Sequence, residues 1–241
     1  MARPFDHWTV LPHGRLTRID DNILTVEGKL PMPLGGDFPR RMTIVRLEDG
    51  RLVIFSAMAL DEPEMAAIEA FGMPAFLIVP SDLHRLDAKS FKERYPGIFV
   101  VAPEGARERV EEVVAVNATH AELRDPAVRY VTVPGTEEGE AALIVQTATG
   151  TTLVVNDLIW NVHDRPGLGG WLYRVLHFTG PDPQIANVIR LRKIKDRRAV
   201  SSQLESWSHL RGLNRIIMSH GDIVQGDPPA LLRNLANSLA A

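Results

Sequence analysis

No cysteine occurs among the 241 residues. That excludes disulfides, thiolate nucleophiles, iron–sulfur clusters and cysteine-ligated zinc, and leaves any metal to His, Asp or Glu. An excess of one charge is also lacking. With 30 acidic and 27 basic side chains the formal net charge is −3, so no global field attracts nucleic acid or an anionic membrane. No apolar run approaches the roughly 18 residues that a membrane span needs. The opening residues, Met1-Ala2-Arg3-Pro4-Phe5-Asp6-His7-Trp8, lack the apolar centre of a signal peptide. The expectation is a soluble cytoplasmic protein with neither nucleic-acid nor membrane partners. Against these absences stands an ordinary globular composition, 45% hydrophobic and 24% charged. The length allows a sizeable core in one domain over residues 1–241.

The chain is organised around residues 76–105. Phe76-Leu77-Ile78-Val79 is an apolar run of strand length, broken by Pro80. Asp82, His84 and Asp87 then crowd into six residues. A short amphipathic helix follows to Tyr95, Pro96-Gly97 stops it, and Ile98 to Val101 is a second apolar run. In open α/β sheets reactive residues sit just past the carboxyl ends of strands. Residues two apart in extended chain point the same way, so Asp82 and His84 are expected to face one point.

Upstream, Ile23 to Gly28 reads as a strand and Leu30 to Arg41, with three prolines and Gly35-Gly36, as a loop. Met42–Leu47 and Arg51–Ser56 flank Asp49-Gly50 as a hairpin. Asp61-Glu62-Pro63-Glu64 opens a helix that Gly72 ends. Downstream come a helix near Arg107 to Val114, a strand at Arg129–Val133, and a hairpin of Ala141–Gln146 with Thr152–Val155. Residues 164–212 read as a helical insert: a glycine-rich entry at 167–170, helices at 171–178 and from Asp182-Pro183, and a third at 201–210. Asn214–Met218 is a last strand and 229–239 a last helix. Strands followed by helix occur twice. That suggests two similar halves in a four-layer α-β-β-α sandwich.

Three strands end in polar residues: the first at Asp82, His84 and Asp87, the second at Asp157, the third at His220. Taken singly each is bland, since an Asp after a strand is most often a turn former or a helix cap. Carboxylates and imidazoles converging from several strand ends are what a metal or acid–base site requires. Other candidates are weaker. His7, His13 and His120 read as terminal or polar-segment residues, and His163 and Asp164 either line a pocket or lie on a solvated loop. The run Arg190, Arg192, Lys193, Lys195, Arg197, Arg198 reads as a solvated helix face, because no aromatics interleave with it. Trp171, Tyr173 and Phe178 read as packing residues that could also cover a pocket.

These residues, in this order, resemble the metallo-β-lactamase superfamily. Its HxHxDH motif has its place at Pro80-Ser81-Asp82-Leu83-His84-Arg85-Leu86-Asp87. Its Pro-Gly-His segment has its place at Pro134-Gly135-Thr136, its second hairpin at Thr149 to Asp157, and its C-terminal Gly-His-Gly at Ser219-His220-Gly221. The first motif is degenerate. In one register Asp82 and His84 stand for its first two histidines, Leu86 for its Asp and Asp87 for its last His. In the other, the four positions become Ser81, Leu83, Arg85 and Leu86, which hold no metal. Thr136 replaces the Pro-Gly-His histidine in both. The resemblance implies the α-β-β-α fold and, in the first register, a metal set of Asp82, His84, Asp87, Asp157 and His220. That set is harder than three histidines and suits one or two divalent ions, zinc, iron or manganese. The resemblance also implies that His84 and His220 serve different ions bridged by Asp157.

Three functional readings follow. One is a metal-dependent hydrolase of an ester, lactone, thioester, amide or phosphodiester, with His84 and Asp157 catalytic. The second is a metal-free pseudoenzyme or binding module that keeps only the fold. The third is a metal-free enzyme with His84 or His220 as general base beside Asp157.

Overall fold

The computed structural model describes residues 3–31, 37–164, 174 and 178–240. Its strands read as near-continuous apolar runs because both of their faces are buried. In β4 (Arg51–Phe55), Leu52 and Ile54 face one core while Val53 and Phe55 face another. In β10 (Leu213–Met218), Ile216 and Met218 face outward to helices and Ile217 faces inward. The side-chain period of two thus assigns each strand to two cores at once.

The first sheet has six strands in chain order: β1 (Thr17–Asp20), β2 (Ile23–Pro31), β3 (Asp37–Arg46), β4, β5 (Met73–Ile78) and β6 (Phe99–Val101). The second runs β10, β9 (Gly150–Val155), β8 (Ala141–Thr147), β7 (Val128–Thr132). Between the sheets, Val53, Phe55 and Ile78 pack against Leu143, Val154 and Ile217. On the outer face of the first sheet lie α1 (Glu62–Phe71), α2 (Ala88–Arg94) and α3 (Glu104–Glu111), through Met65, Ile68, Phe91 and Val110. On the outer face of the second lie α4 (Asn187–Arg192), α5 (Arg197–Ser208) and α6 (Pro228–Ala240), through Ile189, Leu204, Trp207 and Leu232. This is the four-layer α-β-β-α sandwich.

The two halves repeat a pattern. β3 and β4 form an antiparallel hairpin, and a helical crossover returns β5 parallel to β4. β8 and β9 form the second hairpin, and β10 returns parallel to β9. The expected loop over 30–41 differs. Residues 37–41 belong to β3 and pair with β2 as far as Pro31↔Asp37, so the described part of the segment belongs to a long hairpin. Pro39 is tolerated there in the middle of the arm, opposite Lys29. The helix expected from Asp182-Pro183 begins later, at Asn187. The glycine-rich entry at 167–170 and most of the helix expected over 171–178, including Trp171 and Tyr173, lie outside the described residues. No described helix is long and apolar enough to cross a membrane.

Candidate metal centre

Parallel pairing brings strand ends together. β9 and β10 pair with Val155 opposite Met218, so Asp157 and His220 each lie two residues past the last rung. β4 and β5 pair with Phe55 opposite Ile78, and the chain then passes Ser56 on one side and Ser81 to His84 on the other. The Ala141 N–H donates to the Pro80 carbonyl at 2.9 Å and ties the two sheets at this rim. Four strand ends therefore deliver Ser56, His84, Asp157 and His220 to one place.

Three donor atoms form a near-equilateral triangle. His84 Nε2 is 3.1 Å from Asp157 Oδ1, His220 Nε2 is 3.0 Å from the same oxygen, and the two Nε2 atoms are 3.1 Å apart. The resemblance implied that His84 and His220 serve separate ions. Here they face a single point. The outer atoms of the rings are held too. His220 Nδ1 is 2.7 Å from the Pro39 carbonyl oxygen, which can only accept, so Nδ1 donates there and Nε2 is turned toward the centre. His84 Nδ1 is 2.7 Å from Ser56 Oγ. Ser81 Oγ donates to Asp157 Oδ2 at 3.1 Å and receives an N–H of Asn156 at the same length.

These three side chains have the spacing to hold a metal ion. They are the ligand types, two imidazoles and one carboxylate, that suit zinc or a harder divalent ion. The electrostatics agree. Burial opposes ionisation of Asp157, but the two imidazoles beside it hold its carboxyl well below the usual aspartate range. Burial pushes the His84 imidazole down, with Asp157 opposing, so this ring favours the neutral state a ligand needs. Glu140 lies beneath, accepting from Asn156 Nδ2 and the Asp157 N–H at 3.2 and 3.3 Å. Burial and the neighbouring Asp157 charge push its carboxyl well above the usual range.

The other two residues of the expected ligand set stand elsewhere. The segment after Pro80 is not extended. His84 N–H donates to the Ser81 carbonyl and Ala88 N–H to the Arg85 carbonyl, which makes two successive turns. Asp82 therefore does not share a direction with His84, and pairs with Lys193. Asp87 is drawn under the sheet, where it takes Arg40 Nη1–H at 2.6 Å and Ala59 N–H at 3.0 Å. Thr136 donates to the Val133 carbonyl within its own turn. Ser56 and Arg40 were not singled out from sequence. Ser56 carried the same signal as Asp157, a polar residue closing an apolar strand. Arg40 was hidden in the segment read as a loop.

The trio opens on a cavity of about 540 Å³. Its walls are largely apolar, from Leu30, Phe38, Leu83, Leu86, Trp160 and Phe178. Phe38 and Trp160 pack their rings on the His220 imidazole at 4.8 and 5.2 Å. A largely apolar pocket of this size with a few convergent polar groups has the character of a small-molecule site.

No protein-family model and no curated protein matches the sequence. The three-dimensional likeness is nonetheless clear, and it is to metallo-β-lactamases: the chain has the metallo-β-lactamase fold. A solved structure of the enzyme DIM-1 exposed to ceftazidime is 15% identical, with a TM-score of 0.64, covering 97% of this chain and 100% of that one. FIM-1 from Pseudomonas aeruginosa, in a mono-zinc form, is 13% identical, with a TM-score of 0.61, covering 95% of this chain and 96% of that one. A metallo-β-lactamase from Erythrobacter litoralis with β-mercaptoethanol in its active site is 12% identical, with a TM-score of 0.61, covering 92% and 96%.

Proposed function

We propose that this protein is a metal-dependent hydrolase working with one divalent ion held by His84, Asp157 and His220. The observation that carries the reading is the triangle of donor atoms 3.0–3.1 Å apart, with His220 Nε2 turned inward by the Pro39 carbonyl. Asp82 and Asp87 are left out because Lys193 and Arg40 neutralise them. Such an ion supplies Lewis acidity for activating water and polarising an acyl carbonyl. The protein's part is to orient and to exclude water. Ser56 and Pro39 fix the two rings, Ser81 steadies the second oxygen of Asp157, and the apolar wall admits the uncharged body of a substrate. The test is metal content together with hydrolysis of a panel of aryl esters, lactones and thioesters. Stoichiometric metal with activity that vanishes in Asp157→Asn supports the reading; full activity in that variant overturns it.

A second reading drops the ion. Ser56 Oγ, His84 and Asp157 lie in sequence at 2.7 and 3.1 Å, the spacing of a nucleophile, its base and an orienting carboxylate. In that case chelation leaves activity intact and Ser56→Ala abolishes it. In the single-ion reading, chelation abolishes activity.

A further inference from the structure

Arg40 lines the same cavity and is 8% exposed. Among the described residues its guanidinium makes one side-chain hydrogen bond, from Nη1 to Asp87 Oδ2 at 2.6 Å. Its Nε is buried without a partner. Asp87 cannot swing to offer more, because its other oxygen is held by the Ala59 N–H. A buried Arg–Asp pair is a poor stabiliser, since two desolvated charges seldom recover their cost. The cost shows on Asp87: burial pushes its carboxyl up despite the adjacent guanidinium. Here Asp87 aims the group and leaves the rest of the fork unengaged.

The position of the group suits a ligand. Arg40 is two residues from Phe38 on β3, so both side chains leave the same face of the strand, and both line the cavity. Pro39 between them holds His220. Two other charged groups at this wall are paired, as Arg40 is with Asp87: Asp82 with Lys193, and Arg85 with Glu112 at 2.6 Å.

We propose that Arg40 is the receptor for a carboxylate on the substrate, so that the natural substrate is an apolar acyl compound carrying a carboxylate away from the scissile bond. The apolar wall takes the body, the trio takes the reacting carbonyl, and the unengaged arm of the guanidinium takes the anion. This deepens the hydrolase reading but does not need the ion in order to be read out.

The test is calorimetric titration of octanoate and of octanamide into chelator-stripped and metal-loaded protein. The expected result is that octanoate binds the stripped protein and that Arg40→Met/Asp87→Asn, which removes both charges, weakens it roughly ten- to a hundredfold, the worth of a charged hydrogen bond. Octanamide affinity stays the same in that variant. If the double variant does not fold, Arg40→Lys, which keeps the charge and loses the fork, is the readout, and the same preferential loss of octanoate is expected. Equal loss of both ligands, equal affinity for both in the wild type, binding that requires metal and not Arg40, or no binding of either overturns the proposal. The hydrolase reading fails separately, by absence of metal.

Discussion

Asp157 is the side chain on which the site turns, and its environment explains why. It is 1% exposed, and against that burial the two imidazoles facing one of its oxygens hold its carboxyl well below the usual range, while Ser81 donates to the other oxygen. Asp157→Asn preserves shape and removes the charge. Metal affinity, measured by competition with a chromophoric chelator, is expected to fall by more than roughly a hundredfold, beyond the ten- to hundredfold typical of outer partners. Ser56→Ala removes an outer partner of His84, and a loss of roughly ten- to a hundredfold is expected by the same measurement. Ser56 sits in the left-handed region with φ of 59°, so its hydroxyl is placed at some backbone cost, consistent with a functional demand. Glu140 makes a pH prediction. Its folded pKa is raised, so above 4.5 the native state keeps a proton that the unfolded chain releases, and metal-free stability falls as pH rises. Glu140→Gln is expected to flatten that decline in denaturant titrations at a series of pH values. An unchanged slope would place the titration on another group.

At the scale of elements, the strands and their hairpin turns were legible and the polar segment after β5 was not. The apolar runs at β4, β5, β9 and β10 announce themselves because both faces are buried, and the capped helix α1 does so through Asp61, which accepts the Glu64 N–H at 3.4 Å, and through Gly72. The polar segment from Ser81 to Asp87 has no such periodicity. Whether Asp82 joins His84 depends on two local turns and on a lysine 111 positions away. Sequence order could not supply that contact. The long hairpin of β2 and β3 was obscured by its prolines, and Arg40 with it. The turn after β10 has its own requirement. Gly221 has φ of +89°, and an added Cβ would lie 1.9 Å from the Asn161 carbonyl oxygen. Gly221→Ala is therefore expected to shift the adjacent His220, lower the melting temperature and weaken metal binding together. Gly97→Ala, which meets nothing within 4 Å, is the matched control and is expected to change neither. Melting curves and metal titrations on the two variants check this.

At the scale of the whole molecule, the order of four landmarks along the chain was enough to indicate the α-β-β-α sandwich, and three of the five expected ligands meet at its rim. What could not be read was that His84 and His220 face one point, since that depends on side-chain directions and not on spacing. An ion held by His84, Asp157 and His220 would link the ends of both sheets and so stabilise the native state. With free ion at about 100 times its dissociation constant the gain is about 2.7 kcal/mol, a melting shift of roughly 5–10 °C for a chain of this size. Chelation followed by calorimetry is expected to show that fall, and re-addition of metal to reverse it. The most direct test of the account is elemental analysis of the purified, untagged protein by inductively coupled plasma mass spectrometry, for wild type and Asp157→Asn in parallel. The account predicts one zinc, iron or manganese ion per wild-type chain and a large loss in the variant. No metal in the wild type after reconstitution, or equal metal in both proteins, would contradict it.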